Sequence, residues 1–131
     1  MNGFLRVLLI DDDEDERALF LDALADIDNQ ISCEYFNAGE LALKWLAGAT
    51  VLPDYIFLDL NMPKMNGLEV LAAIKTQNHI KSIPVIIYST SSNDAHKHEA
   101  KSIGAASYIV KPYTKHDLKK AIQSVFQKFK P

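Results

Sequence analysis

The sequence predicts an α/β protein in which helices cover both faces of a five-stranded, doubly wound parallel sheet. Five short apolar runs alternate along the chain with segments of helical periodicity, and this alternation is typical of such sheets. The third run, residues 55–58, is apolar throughout. A run without polar residues indicates a strand that is covered on both faces, as in the middle of a parallel sheet.

The predicted strands are the runs that are rich in β-branched and aromatic residues. They cover residues 4–10, 31–36, 55–58, 85–88 and 106–110. Pro53 and Pro84 stand shortly before the third and fourth runs. Proline cannot donate a ladder hydrogen bond, so each marks a loop that leads into a strand.

The first three helices are predicted from apolar residues at helical spacing. These residues are Ala18, Phe20, Leu21, Leu24, Ala25 and Ile27; Leu41, Ala42, Trp45 and Leu46; and Val70, Leu71 and Ile74. Asn37 is the predicted cap of the second helix. Asn66, with Glu69 three residues later, predicts a capping box at the start of the third.

The last two helices differ in their apolar anchors. Residues 92–102 form a polar, weakly helical segment that ends at Gly104, and its few apolar anchors are Ala95, Ala100 and Ile103. Thr114, with Asp117 three residues later, predicts the start of the final helix. The apolar face of that helix consists of Leu118, Ile122, Val125, Phe126 and Phe129.

Size and charge narrow the class of protein. The 131 residues fit one domain, and we expect residues 1–131 to form that single domain. The net charge of −3 argues against nucleic-acid binding. Cys33 is the single cysteine, so an internal disulfide is excluded. No apolar run approaches the roughly 20 residues that span a bilayer. We therefore expect a cytoplasmic protein that binds neither DNA nor membrane directly.

Polar side chains follow four of the five predicted strands. Asp11 and Asp12 follow the first strand, Asp59 the third, Ser89 the fourth and Lys111 the fifth. Ligands of open parallel sheets bind outside the carboxyl ends of the strands. We therefore expect these side chains to form one pocket. Residues 13–16, which complete a run of six acidic residues, are interpreted as a solvated first helical turn.

The chemistry of this set favours phosphoryl transfer. Clustered carboxylates repel one another unless a cation intervenes, and Mg²⁺ binds carboxylates while leaving positions for phosphate oxygens. No histidine or cysteine stands beside these positions, which weakens a zinc interpretation. A carboxylate nucleophile, a divalent cation, a lysine and a hydroxyl together suit phosphoryl transfer to the carboxylate.

The chain resembles the receiver domain of response regulators, the phosphoacceptor of bacterial two-component signalling. The segments that carry the resemblance are 9–12 (LIDD), 57–67 (FLDLNMPKMNG), 86–89 (IIYS) and 110–114 (VKPYT). The resemblance implies a flavodoxin-like (βα)5 fold with strand order 2-1-3-4-5. It also implies a stand-alone phosphoacceptor that is not a turnover enzyme.

The resemblance implies a role for each acidic residue of the site. Asp59 would accept the phosphoryl group from a histidine kinase or a phosphotransfer protein, and would also contact Mg²⁺. Asp12 would bind the metal directly, and Asp11 chiefly through water. The backbone carbonyl of Asn61 would be a further metal ligand.

The resemblance also implies the remaining roles. Lys111 would pair with the phosphoryl oxygens, and Ser89 would hydrogen-bond one of them. Tyr108 would rotate inward when Ser89 moves, and so change the surface of helix four, strand five and helix five. The Lys111–Pro112 peptide would be cis, and Pro63 and Gly67 would shape the loop after Asp59. The partners would be the kinase and a downstream protein target or relay, with a monomer or a phosphorylation-dependent homodimer.

A second class of protein stays open on these residues. Asp11 and Asp13 are spaced like the nucleophile and general acid of a small phosphohydrolase of the haloacid-dehalogenase type. Against that class, Asp15 stands where threonine or valine is usual, and no acidic metal pair follows Lys111. The phosphohydrolase interpretation also leaves Asp59 without a role.

Overall fold

The computed structural model describes residues 4–131, in which five parallel strands alternate with five helices. The elements are β1 (Arg6–Ile10), α1 (Glu14–Ile27), β2 (Ser32–Phe36), α2 (Gly39–Gly48), β3 (Tyr55–Leu58), α3 (Gly67–Lys75), β4 (Val85–Ser89), α4 (Asp94–Ile103), β5 (Ser107–Val110) and α5 (Lys115–Lys128). The strand order is β2-β1-β3-β4-β5, and every pair is parallel. The predicted doubly wound, flavodoxin-like fold is confirmed.

Alternate residues of the central strands feed two separate cores, one on each face of the sheet. Leu8 and Ile10 of β1 join the core that α2, α3 and α4 cover. Val7 and Leu9 point to the opposite face and join the core that α1 and α5 cover. Every residue of β3 and β4 is buried, so the core packs around the strands that lead to Asp59 and Ser89.

Among residues 4–131, no helix combines the length and the apolar character needed to cross a bilayer.

Two of the three predicted helix starts have the expected caps. The side chain of Asn66 accepts a hydrogen bond from the Glu69 backbone N–H at 3.0 Å, and the Glu69 carboxylate accepts one from the Asn66 backbone N–H at 2.9 Å. The Thr114 hydroxyl accepts a hydrogen bond from the backbone N–H of Asp117 at 3.1 Å. Both reciprocal bonds of the capping box are therefore present in α3, and α5 has the side-chain bond that Thr114 predicts.

The predicted cap of α2 is wrong. The helix begins one residue later than Asn37 predicts, after Ala38, which makes no side-chain capping bond. Tertiary packing accounts for the difference. Gly39 is buried, and a Cβ on it would overlap the Val70 side chain of α3. The close approach of α2 to α3 therefore fixes the first helical residue, whatever the capping preference of Asn37.

Other boundaries shift by a few residues. β1 begins at Arg6 rather than at residue 4, and α4 begins after Asn93, whose side chain accepts from the backbone N–H groups of two following residues. The predicted weak anchoring of α4 is confirmed, because Ala100 is its single buried residue. Gly104 ends that helix with φ 126°, in the region that favours glycine.

The expectation of a cis peptide at Lys111–Pro112 is wrong in this structure. The described residues 4–131 contain no cis peptide bond, so this bond is trans. The trans form is intrinsically favoured even before proline. The Lys111 backbone N–H donates to the Ser89 carbonyl at 2.7 Å, which extends the β4–β5 pairing up to the proline.

Candidate phosphoacceptor site

The carboxyl ends of four neighbouring strands bring the predicted site residues to one edge of the sheet. Asp11 follows β1, Asp59 follows β3, Ser89 ends β4 and Lys111 follows β5. Asp11, Asp59 and Ser89 are the buried polar or charged residues of the described chain, at 0%, 4% and 0% exposure. Buried polar groups are costly unless they are paired, so their coincidence at one edge indicates a site.

The backbone of Asp59 continues the sheet, and its carboxyl group is buried. Its backbone N–H donates to the Ile10 carbonyl at 2.9 Å, which continues the β1–β3 ladder beyond Leu58. Burial raises the pKa of Asp59 to about 7, and the negative charge of Asp11 adds to this shift, while the positive charge of Lys111 opposes it. A carboxylate with this pKa is destabilised in the absence of further positive charge.

Lys111 is the cation at the centre of the acidic group. Its Nζ lies 3.1 Å from Asp11 Oδ2 and 3.5 Å from Asp59 Oδ1, and its side chain is 6% exposed. The ammonium group also lies 4.9 Å from the centre of the Tyr88 ring. Burial by itself would lower the pKa of Lys111, but the hydrogen bond to Glu16 and the charges of Asp59 and Asp11 raise it above its usual value. The lysine is therefore charged at neutral pH.

Glu16 belongs to this site, although sequence reasoning assigned it to a solvated helical turn. Its Oε1 lies 2.5 Å from Lys111 Nζ. One carboxylate oxygen from each of Asp11, Glu16 and Asp59 falls within 4.8 Å of the others. The missed signal was the position of Glu16 on the first turn of α1, three residues after its cap. A side chain at that position of α1 can extend over the carboxyl end of β1, where the site lies.

The predicted metal ligands divide into two groups. Asp11 and Asp59 lie together, and their oxygens with that of Glu16 offer the hard ligands that Mg²⁺ prefers. Asp12 is exposed and lies outside this group of three. Asn61 is also exposed, and its backbone N–H lies 3.4 Å from Asp59 Oδ1. The chemistry of the donor set fits a divalent cation, and the carboxylates that this structure brings close enough to share one are those of Asp11, Glu16 and Asp59.

Ser89 and Tyr108 are connected through Ser91. Ser89 Oγ accepts a hydrogen bond from the Ser91 backbone N–H at 3.1 Å. The Tyr108 hydroxyl donates to the Ser91 carbonyl at 2.8 Å, and the ring of Tyr108 packs against the core beneath α2, α3 and α4. Ser89 and Tyr108 therefore both contact the backbone of the same residue.

The loop after Asp59 is shaped by a close backbone approach. A Cβ on Gly67 would overlap the carbonyl oxygen of Asp59 and would lie 2.8 Å from Leu60 Cα. The Gly67 N–H donates to the Leu60 carbonyl at 2.9 Å. Lys64, in the same loop, has φ 66°. Glycine at position 67 therefore allows α3 to begin directly against the residue that carries the central carboxylate.

Asp13 does not join the site. Its side chain accepts a hydrogen bond from the Glu16 backbone N–H at 3.0 Å and so caps α1. Its own N–H donates to Asp11 Oδ1 at 2.9 Å. The phosphohydrolase interpretation requires the Asp13 carboxyl group to act beside Asp11, whereas here it is exposed and serves as a helix cap.

A family model for the response regulator receiver domain matches residues 7–123 of the chain. The chain therefore belongs to this family, the phosphoacceptor domains of two-component signalling. Such domains are signalling proteins rather than classical turnover enzymes.

One relative is the probable methanogenesis regulatory protein FilR2 of Methanothrix harundinacea. The two sequences are 32% identical over 123 residues, and the match covers 91% of this chain and 79% of FilR2. The structure is similar to that of the phosphorylated cyanobacterial phytochrome response regulator RcpA, with a TM-score of 0.87, 28% identity and coverage of 97% of this chain and 94% of RcpA. The Mn²⁺-bound response regulator Rcp1 gives a TM-score of 0.83, 27% identity and coverage of 96% and 95%.

Proposed function

We propose that Asp59 accepts a phosphoryl group from a histidine kinase or a phosphotransfer protein, in a reaction that depends on Mg²⁺. The observation that carries the proposal is the placement of a buried carboxylate beside a buried lysine. Asp59 is 4% exposed, and Lys111 Nζ lies 3.5 Å from its Oδ1. A charge buried in this way is stable only when opposite charge compensates it. Lys111 supplies part of that positive charge, and a divalent cation would supply more.

The transfer itself exchanges one bond to phosphorus for another. A carboxylate oxygen of Asp59 forms a bond to phosphorus while the bond between phosphorus and the donor's histidine nitrogen breaks, and the bonding electrons stay with the imidazole, which then takes up a proton. Little covalent chemistry falls to the protein, and positioning and charge stabilisation dominate such reactions. Lys111 would pair with the phosphoryl oxygens and Ser89 would donate a hydrogen bond to one of them.

The metal would neutralise negative charge on the phosphoryl group and on the carboxylates around it. Asp11 and Asp59 would hold it, together with Asp12 and the backbone carbonyl of Asn61 after the loop adjusts. The similarity to the Mn²⁺-bound form of Rcp1 supports a divalent cation in this fold. The similarity to phosphorylated RcpA likewise supports a phosphorylated state.

The output would be a change in the surface that α4, β5 and α5 form. Phosphorylation would draw Ser89 toward the new oxyanion, and the connection through Ser91 would transmit the movement to Tyr108. α4 has one buried residue, and elements with few buried contacts are the ones that move at low cost. A downstream protein, a relay partner or a second copy of the chain would read this surface.

Incubation with a phosphoramidate or acetyl phosphate donor and Mg²⁺ tests the proposal, with intact mass as the measurement. We expect the wild-type chain to gain one phosphoryl group, and Asp59→Asn to gain none. Asp15→Asn, which changes an exposed acidic residue, is the matched control and should be labelled normally. Labelling of Asp59→Asn would contradict the proposal. Turnover of p-nitrophenyl phosphate that Asp11→Asn abolishes and Asp59→Asn retains would instead establish the phosphohydrolase.

The donor requires a separate experiment. Purified histidine kinases and phosphotransfer proteins, phosphorylated beforehand, would be mixed with the wild-type chain and with Asp59→Asn. The cognate donor is expected to lose its label rapidly to the wild-type chain alone. The same comparison at different Mg²⁺ concentrations should show transfer failing when the metal is chelated.

A further inference from the structure

The closest partner of Lys111 is not the proposed phosphoacceptor but Glu16. Lys111 Nζ lies 2.5 Å from Glu16 Oε1, compared with 3.1 Å for Asp11 Oδ2 and 3.5 Å for Asp59 Oδ1. The lysine side chain is 6% exposed, whereas that of Glu16 is 31% exposed. The lysine that phosphoryl transfer requires is therefore held by a carboxylate to which no step of that transfer assigns a role.

The position of Glu16 is fixed by its own helical turn. The Asp13 side chain accepts from the Glu16 backbone N–H at 3.0 Å. Arg17, the next residue, donates from Nη1 to the Asp11 carbonyl at 2.9 Å and lies 5.4 Å from the centre of the Tyr35 ring. These contacts tie the first turn of α1 to the end of β1. Glu16 is thus a positioned partner of Lys111, in contrast to the exposed acidic residues beside it.

We propose that Glu16 is a positioning residue that competes with the phosphoryl group for Lys111 and thereby weakens the phosphorylated state. This inference rests on the function proposed for Asp59. The ammonium group of Lys111 would have to turn from Glu16 toward the phosphoryl oxygens when these arrive. Because Glu16 already neutralises Lys111, less of the lysine's positive charge is available to a dianion on Asp59. Glu16 would consequently set how readily the domain is switched on and how much phosphoryl group it holds at equilibrium.

The alternative role for Glu16 is that of a metal ligand, because its oxygen lies within 4.8 Å of those of Asp11 and Asp59. The two roles predict opposite results. A competitor for Lys111 weakens the phosphorylated state, so its removal strengthens that state. A metal ligand supports the phosphorylated state, so its removal weakens both Mg²⁺ binding and the binding of a phosphoryl mimic.

The test is the affinity for beryllofluoride, a mimic of a phosphoryl group on a carboxylate, measured by titration calorimetry at saturating Mg²⁺. Glu16→Gln is expected to bind it roughly tenfold more tightly than the wild-type chain. Glu14→Gln is the matched control, since it makes the same substitution on the same turn at an exposed position; it should bind as the wild-type chain does. Glu16→Asp, which keeps the charge, should restore most of the wild-type affinity.

A double-mutant cycle with Lys111→Met decides whether Glu16 acts through the lysine. We expect Glu16→Gln to lose most of its effect when Lys111 is absent. An undiminished effect there, equal affinities for Glu16→Gln and Glu14→Gln, or weaker beryllofluoride or Mg²⁺ binding in Glu16→Gln would each overturn the inference. Failure of the wild-type chain to bind beryllofluoride with Mg²⁺ is a distinct result, because it would remove the function proposed for Asp59 itself.

Discussion

The raised pKa of Asp59 predicts that Asp59→Asn stabilises the metal-free protein, and more strongly at high pH. The pKa is about 7 in the folded chain and about 4 in an unfolded one, so the folded state binds this proton more tightly. Ionisation of Asp59 therefore lowers the free energy of unfolding as the pH rises from about 4 to about 7. Asparagine resembles the protonated carboxyl group and does not ionise, so the variant avoids this loss of stability.

The size of the effect follows from the two pKa values. Each pKa unit corresponds to about 1.4 kcal/mol, so the full difference is about 4 kcal/mol at about pH 8. About 1.5 kcal/mol of this is already present at about pH 5, where the unfolded chain has lost the proton and the folded chain has kept it. The stabilisation by Asp59→Asn is thus expected to grow by about 2.5 kcal/mol between these two pH values. Lys111 keeps Asp11 and Glu16 as partners in the variant.

Urea unfolding with EDTA present, at about pH 5 and about pH 8, measures this difference. Asp15→Asn controls for the loss of one negative charge at an exposed position, and should change the free energy of unfolding by within about 0.5 kcal/mol at either pH. The reasoning is refuted if Asp59→Asn has no higher free energy of unfolding than the wild-type chain at about pH 8. It is also refuted if the difference between the two proteins is the same at about pH 5 and about pH 8.

Three further predictions concern the metal, the loop and a helix cap. Mg²⁺ at about 100 times its Kd should raise the free energy of unfolding of the wild-type chain by about 2.7 kcal/mol. Thermal unfolding should show a clearly smaller increase for Asp59→Asn. Equal increases in the two proteins would mean that the metal binds elsewhere. Gly67→Ala should lower the free energy of unfolding by about 2 kcal/mol or more, because the new Cβ would overlap the Asp59 backbone. In the same urea titration the control Gly48→Ala should be neutral or stabilising, because a Cβ at position 48 has no atom within 4 Å. Asn66→Ala removes one side of the capping box and should cost about 1 kcal/mol; a loss of less than a few tenths of a kcal/mol would show that the other bond is sufficient.

The sequence predicts the fold well where one residue pattern admits one environment. Residues 55–58 are apolar throughout, and the structure buries all of them. The capping box of Asn66 and Glu69 needs only local geometry, so its two hydrogen bonds could be anticipated from spacing alone. The meeting of Asp11, Asp59, Ser89 and Lys111 at one edge follows from the parallel order of strands, which brings their carboxyl ends together.

The predictions that fail depend on contacts between distant parts of the chain. Asn37 has a favourable type for a cap, but the packing of Gly39 against Val70 determines where α2 begins. Glu16 looks like one of several solvated acids, yet its partner Lys111 stands 95 residues away in sequence. A pattern of charges along one helix does not reveal which of them another strand will approach.

The most direct test of the central claim is to locate the phosphoryl group on the chain. The protein would be phosphorylated with Mg²⁺ and a small donor or the cognate kinase, treated with borohydride, which reduces an aspartyl phosphate to homoserine, and then digested and sequenced by mass spectrometry. We predict homoserine at position 59 and unmodified aspartate at Asp11, Asp12 and Asp13. Reduction at one of those three residues, with Asp59 intact, would contradict the assignment of Asp59 as the phosphoacceptor.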